Sequence, residues 1–376
     1  MASGLAVRRP MNVYSLLRTA RRETPGVLLT YMVAAAAGYA AMRLHVPLPW
    51  MMGALLATAA QALSGRRPPV LSAGRRLGQM MIGIGVGLTF SREAALAVLG
   101  NLPAMTAAAL LTMAAGVAIA QLLARMTGVD RLTAVMSSVP GGPADMANLA
   151  ERYGGDPLTV ALAQTFRIAL IVTCIPPAMI LAGITGHEDA NAAAAIPFSL
   201  FGLTVLTVAA AVAIVVLNRL GLANAWFLAP LLLIGGLTAG GVRLSGMPFE
   251  LVAIAQVLLG VSLGTTFDRR FLMRSPRLLV ATIVCSVLLL AGCGGIAALL
   301  SKLTGLPLAS LAVALAPGGL PEMVLTAKVL HLGVPMVTAF HVERVVLTLI
   351  LAPHIVAAVA WLTRRPRVEA VSGSAD

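Results

Sequence analysis

Ser138-Val139-Pro140-Gly141-Gly142-Pro143-Ala144-Asp145 returns, 177 residues later, as Leu315-Ala316-Pro317-Gly318-Gly319-Leu320-Pro321-Glu322. Both stretches sit inside apolar runs. Proline removes a backbone donor and glycine admits dihedrals that other residues resist, so a helix entering either stretch breaks there. At membrane depth such freed backbone groups persist only when buried in protein or facing a watery cavity. Each break creates two helix ends, one presenting N–H groups suited to an anion and one presenting carbonyls suited to a cation. A single Pro-Gly-Gly reads equally well as a packing kink; two at matching positions favour a binding centre. The same offset pairs Gln79 with Gln256, Gly83 with Gly260, Thr89 with Thr266, Arg167 with Arg344 and Pro176 with Pro353, while Trp50 and Trp226 pair at 176. A register held over so many positions is the mark of duplication.

Outward from the breaks, the chain of 376 residues is 59% hydrophobic and 11% charged, with a mean hydropathy of +0.92. Soluble domains carry about 25% charged residues, and spans of about 20 apolar residues recur along this chain. The fold class expected is therefore an all-α polytopic membrane protein. It is built from two inverted repeats, each of about five transmembrane helices plus a re-entrant or broken helix at its Pro-Gly-Gly. The expected organisation is a cytoplasmic N-terminal segment at 1–25, repeat 1 at 26–183, a linker at 184–195, repeat 2 at 196–361 and a cytoplasmic tail at 362–376. Apolar runs are expected near 26–43, 47–63, 72–90, 102–124 and 157–183, then 196–218, 225–241, 250–267, 278–300 and 334–361. The interrupted pieces lie at 131–153 and 307–331. If these pieces return to the side they entered, 20 basic residues face the cytoplasm, five face outward and two lie within spans; if both cross, the split becomes 16 to 9. The first arrangement obeys the positive-inside rule better and places both termini in the cytoplasm. Arg8-Arg9 lacks the adjoining apolar core of a twin-arginine signal, so the N-terminal segment reads as an uncleaved cytoplasmic lead.

The net charge of +13 suits phosphate in principle. The basic residues, however, sit in short clusters between apolar runs, and no DNA-reading motif interrupts those runs, so direct nucleic-acid binding is not expected. Cys174, Cys285 and Cys293 lie in hydrophobic stretches and read as small buried residues. The five histidines show no metal-ligand spacing with a nearby acid, and there is no nucleophile elbow or phosphate loop. Neither an enzyme nor a cofactor or metal site is expected. The partners expected are the lipid bilayer, a small-molecule ligand and a coupling ion, and the reading leaves room for a homodimer.

Arg167 and Arg344 each lie about ten residues into a long span, roughly 15 Å deep. An arginine there costs about 2.5–3.5 kcal/mol even on the lenient insertion scale. Three things can offset that cost: a carboxylate partner, carbonyls at a helix break, or an anionic ligand. Gln164 and His341 stand three residues earlier, on the same helical face, while Glu343 points about 100° away from Arg344. Asp145 and Glu322 fall in the first turn of the helix that follows each break. There a carboxylate complements the dipole, and an ionisable group at depth is also a candidate proton or sodium site. The expected substrate-binding set is thus Pro140, Gly141, Gly142, Gln164, Arg167, Pro317, Gly318, Gly319, His341 and Arg344, with Asp145 and Glu322 coupling an ion.

The segments Ser138-Val139-Pro140-Gly141-Gly142-Pro143-Ala144-Asp145-Met146, Ala225-Trp226-Phe227-Leu228-Ala229-Pro230 and Ala316-Pro317-Gly318-Gly319-Leu320-Pro321-Glu322-Met323 resemble the AbrB-duplication family of bacterial inner-membrane proteins. The likeness covers nearly the whole chain. Members carry labels of transcriptional regulator or ammonia monooxygenase, and neither label follows from these residues. More distantly, the Gly87-Leu88-Thr89-Phe90 span end and the Pro-Gly-Gly are similar to carriers of the bile-acid–sodium-symporter type, in which the broken helix crosses the membrane. Together these lead to the expectation of a secondary transporter for a small anionic organic substrate coupled to proton or sodium. The alternatives are a membrane-embedded sensor acting indirectly on gene expression and, last, a membrane oxygenase.

Overall fold

The structure, a computed structural model, describes residues 13–66, 68–186, 197–222, 224–267, 269 and 275–363. Residues 1–12 of the 1–25 lead, most of the 184–195 linker, the tail from 364 and part of the basic cluster at 269–277 lie outside the described residues. Among those described, every regular element is a helix. The first half of the chain supplies α1 (Val13–Arg43), α2 (Pro49–Leu63), α3 (Gly74–Gly87), α4 (Arg92–Gly100), α5 (Leu102–Thr127), α6 (Arg131–Ser138), α7 (Pro143–Tyr153) and α8 (Pro157–Leu181). The second supplies α9 (Leu200–Arg219), α10 (Ala225–Ala239), α11 (Phe249–Gly264), α12 (Pro276–Thr304), α13 (Leu308–Leu315), α14 (Leu320–Val329) and α15 (Val334–Thr363).

Among the described residues, six stretches are long and apolar enough to cross a bilayer: Thr24–Arg43, Leu102–Thr127, Pro157–Leu181, Leu200–Arg219, Pro276–Thr304 and Val334–Val359. The runs expected at 47–63, 72–90, 225–241 and 250–267 form helices of 14–16 residues, shorter than a perpendicular span requires. One element was not foreseen. After Thr89 and Phe90 the chain turns by 97° into α4, whose N-cap Ser91 accepts a hydrogen bond from the Ala94 amide at 3.1 Å. The helices show water an apolar flank: on α9, Phe201 is 81% exposed, and Val208 and Val212 are also exposed. A patch of that kind belongs against lipid rather than solvent.

The chain divides into two compact units. One holds residues up to Gly78 together with Ala253–Arg269. Its core joins Ala34, Ala54, Val257 and Val261, flanked by Tyr31 and Trp50. Close approach depends on small residues: a Cβ on Gly53 would overlap the Ala37 carbonyl, and one on Gly264 would come within 2.7 Å of the Leu55 carbonyl. Small residues at such contacts are how helices associate without a hydrophobic driving force.

The other unit comprises Gln79–Val252 and the chain from Arg270 onward. Its broken segments are wedged between long helices. Met113, Ala120 and Leu123 of α5 and Ala281 and Cys285 of α12 bury Ala134, Val135 and Val139 at the end of α6. On the far side, Met136, Met146 and Ala150 pack with Val160 of α8 and Ala352 and Val356 of α15. Elsewhere in this unit, Ile84 and Leu88 pack with Leu203 and Leu206 of α9 and Ile234 of α10.

Candidate functional site

Both Pro-Gly-Gly sequences interrupt helices as expected. α6 ends at Ser138 and α7 begins at Pro143; α13 ends at Leu315 and α14 begins at Leu320. Within each break the side chains of the following helix fill the space beside the two glycines. A Cβ on Gly141 would meet Met146 Sδ and Cε, and one on Gly318 would meet Met323 in the same manner, with contacts of 2.8–3.0 Å in both. A Cβ on Gly142 would coincide with the Asp145 carboxylate, and one on Gly319 with that of Glu322. Each acid therefore folds back over the glycine that caps its own helix. That is the reach of an N3 carboxylate in a capping box, where it complements unpaired N–H groups and the positive end of the dipole. Glu322 is fully buried and Asp145 partly exposed.

The polar stripes of α8 and α15 hold the other side of each break. Gln164 and His341 are fully buried, and Arg167 and Arg344 retain only 4% and 6% of their exposure. Gln164 Nε2 donates to the carbonyls of Met136 at 2.6 Å and Val139 at 2.8 Å. His341 Nε2 lies 3.1 Å from the Val313 carbonyl, the equivalent of Met136. Arg167 Nη1 donates to Ser138 O at 3.1 Å and, more weakly, to Ser137 O at 3.4 Å. Arg344 Nη1 donates to Ala316 O at 2.8 Å and Leu315 O at 3.3 Å, and its Nη2 to Gly318 O at 3.4 Å. Arg167 also donates to Gln164 Oε1, and Arg344 Nη2 lies 2.9 Å from His341 Nδ1. Positions 177 apart thus share two carbonyl partners, Met136 with Val313 and Ser138 with Leu315, while their remaining partners differ.

Of the three ways to offset a buried guanidinium, the carbonyls at the helix breaks are the one observed. The exposed carbonyl end of a helix attracts positive charge, and here the cation is the protein's own arginine. The Asp145 carboxylate lies over Gly142 and that of Glu322 over Gly319, while the guanidinium hydrogen bonds described above run to break carbonyls, Gln164 and His341.

At the breaks, two hydrogen bonds cross between the repeats. Arg167 Nε donates to Pro317 O at 3.1 Å, and Thr348 Oγ1 donates to Pro140 O at 3.2 Å. Each break therefore gives its proline carbonyl to a long helix of the other repeat. Thr348 was missed from the sequence, although it stands one helical turn beyond Arg344 on the same face. Beside Arg167 lies a hydroxyl-rich recess of about 10 Å³, lined by Ser137, Ser138, Thr282 and Ser286, with room for about one water molecule. The Ser137 and Ser138 hydroxyls are buried and find no partner among the described residues.

The repeat supplies its own conservative exchange. His341→Gln keeps a donor for Val313 O and an acceptor for Arg344, as Gln164 does in the first repeat. His341→Ala leaves buried polar groups unpaired, at about 1–3 kcal/mol. In thermal melts of the purified protein, H341Q is expected to hold near wild type while H341A melts several degrees lower.

A polytopic, all-helical membrane protein with two equivalent helix breaks, each gripped by a buried arginine, is the class that fold and site define. Residues 50–360 match the family model described as "Transition state regulatory protein AbrB", and the chain belongs to that family. It is similar to "Uncharacterized protein YhjN" of Bacillus subtilis (strain 168), with 26% identity over 344 residues covering 85% of this chain and 90% of the relative. It is also similar to "Putative regulator AbrB" of Escherichia coli (strain K12), with 26% identity over 336 residues covering 88% and 94%.

Proposed function

We propose that this protein is a secondary transporter of a small organic anion, working by alternating access in the bacterial inner membrane. The observation that carries the reading is the reciprocal hold on the breaks, Arg167 on Pro317 O and Thr348 on Pro140 O. Irregular backbone and buried charge are both costly at membrane depth, and their coincidence marks the binding centres of discontinuous-helix carriers. Two buried guanidiniums held at the carbonyls of the breaks make a positive centre, which a carboxylate- or phosphate-bearing substrate neutralises. The unpartnered hydroxyls of Ser137 and Ser138 add donors beside it. With a recess of only about 10 Å³, this conformation is occluded, and substrate enters as the breaks part. Asp145 and Glu322, at the first turns of α7 and α14, take the coupling proton or sodium. The repeats, 26–183 and 196–361, lie in inverted orientation with both termini cytoplasmic.

The test is uptake into proteoliposomes from a panel of radiolabelled mono- and dicarboxylates and phosphate esters, with and without proton and sodium gradients. Saturable, gradient-driven uptake of one anion is expected, lost in Arg167→Gln and Arg344→Gln proteins that still purify as folded species. Unchanged uptake in both variants removes the arginines from the mechanism. A second reading is a membrane-embedded sensor, favoured by the regulator name of the Escherichia coli relative. It requires saturable anion binding with no flux, so the same vesicles separate the two.

A further inference from the structure

Glu343 adjoins Arg344 in sequence but faces another side of α15, and the anion-binding centre does not use it. Its Oε1 accepts a hydrogen bond from the Thr106 hydroxyl of α5, and its Oε2 is buried with no donor among the described residues. The carboxylate lines a separate cavity of about 330 Å³ whose remaining wall is almost wholly apolar, including Phe90, Met105, Leu231 and Val346. A cavity of 150 Å³ with such a lining already holds benzene, so this one has room for a chain of several carbons.

Apolar walls select an apolar body, and a buried carboxylate oxygen without a donor selects a cationic N–H group. A neutral hydrocarbon leaves that oxygen unpaired, and an anion meets like charge. The guanidinium of Arg344 is engaged with the carbonyls of Leu315, Ala316 and Gly318, so it does not serve as the missing partner. We propose that this cavity is a second ligand site, which takes a primary amine bearing an apolar tail. The ammonium sits on Glu343 Oε2 and the tail lies against Phe90, Met105 and Leu231. The site is distinct from the paired breaks, and its occupant is of opposite charge to the substrate assigned to them.

The probe is radiolabelled n-octylammonium, compared with 1-octanol and octanoate by equilibrium dialysis against the purified protein in detergent, with protein-free micelles subtracted. Wild type is expected to bind octylammonium at least about tenfold more tightly than octanol, the scale of one charge-assisted hydrogen bond, and to show no saturable binding of octanoate. Glu343→Gln can still accept from Thr106; it is expected to lower octylammonium to the level of octanol and leave octanol unchanged. Ala339→Leu, one turn from Glu343 on the same wall, and Gly236→Leu, where a Cβ meets nothing within 4 Å, fill the cavity by different routes and are expected to lose both ligands. Equal binding of octanol and octylammonium by wild type overturns the proposal, as does a preference for the amine that survives in E343Q. Full binding in either filled variant that melts like wild type also overturns it.

Discussion

Arg167→Lys is expected to cut flux by roughly two orders of magnitude, and to cost more than Arg344→Lys, although both keep the positive charge. Arg167 bridges two chain segments: Nη1 reaches Ser138 O of its own break, while Nε reaches Pro317 O of the other. A planar fork serves two directions at once; an ammonium is a compact point charge on a flexible stem. Lysine can follow one carbonyl and must release the other. Hydrogen bonds to charged groups contribute about 1.5–3 kcal/mol each, and about 3 kcal/mol lost from a rate-determining state is roughly a hundredfold in rate. The carbonyl partners of Arg344 all lie within Leu315–Gly318, so a lysine there can stay beside its own break. Initial uptake rates in proteoliposomes, normalised to folded protein, decide the matter. If R167K and R344K lose equal activity, the bond between the repeats is not what matters.

That asymmetry was not legible in the sequence, although most of its parts were. Pro140-Gly141-Gly142 and Pro317-Gly318-Gly319 announce a break by chemistry alone, since no neighbour can restore a missing N–H. Arg167, Gln164, Arg344 and His341 share a face by helical spacing, which needs no structure to count. What spacing cannot supply is the partner. A carbonyl is present at every residue, so nothing in the letters distinguishes Ser138 O or Pro317 O from the rest until the chain is folded. The side of the break taken by Asp145 and Glu322 was hidden for a related reason. Their place in the first turn suits both a cap and an ion site, and only the space vacated by the Gly142 and Gly319 side chains shows them folded back. The bend after Phe90 did carry a signal, in Ser91 followed by Glu93 at a helix start, but the apolar run ending at residue 90 obscured it. The cavity at Glu343 had none, since its walls come from four separate helices and the turn at Phe90.

The second large effect expected is at the glycines that precede the return helices. Gly319→Ala is expected to destabilise the protein by about 1–3 kcal/mol, the usual cost of overpacking, while Gly142→Ala costs well under half as much. In both cases the new methyl claims space held by a carboxylate, and the difference is whether that carboxylate can leave. Asp145 is partly exposed and can swing outward. Glu322 is fully enclosed, and Ile168 of the other repeat lies 3.2 Å from the position of the added methyl. The first repeat suggests the compensating change: where the second has glutamate, it has the shorter aspartate. Glu322→Asp withdraws the carboxylate by one methylene, so Gly319→Ala should cost much less in that background. The double-mutant cycle is expected to show a coupling of about 1 kcal/mol, within the range found for residues in contact, read from denaturant or thermal unfolding in detergent. Additive costs would mean that the Glu322 carboxylate does not occupy the space beside Gly319, and the shared cap geometry of the two breaks would fail with it. Flux adds a second readout. If the folded-back acid is also the coupling group, G319A retains substrate binding and loses its dependence on the driving gradient, whereas a purely structural cap loses both together.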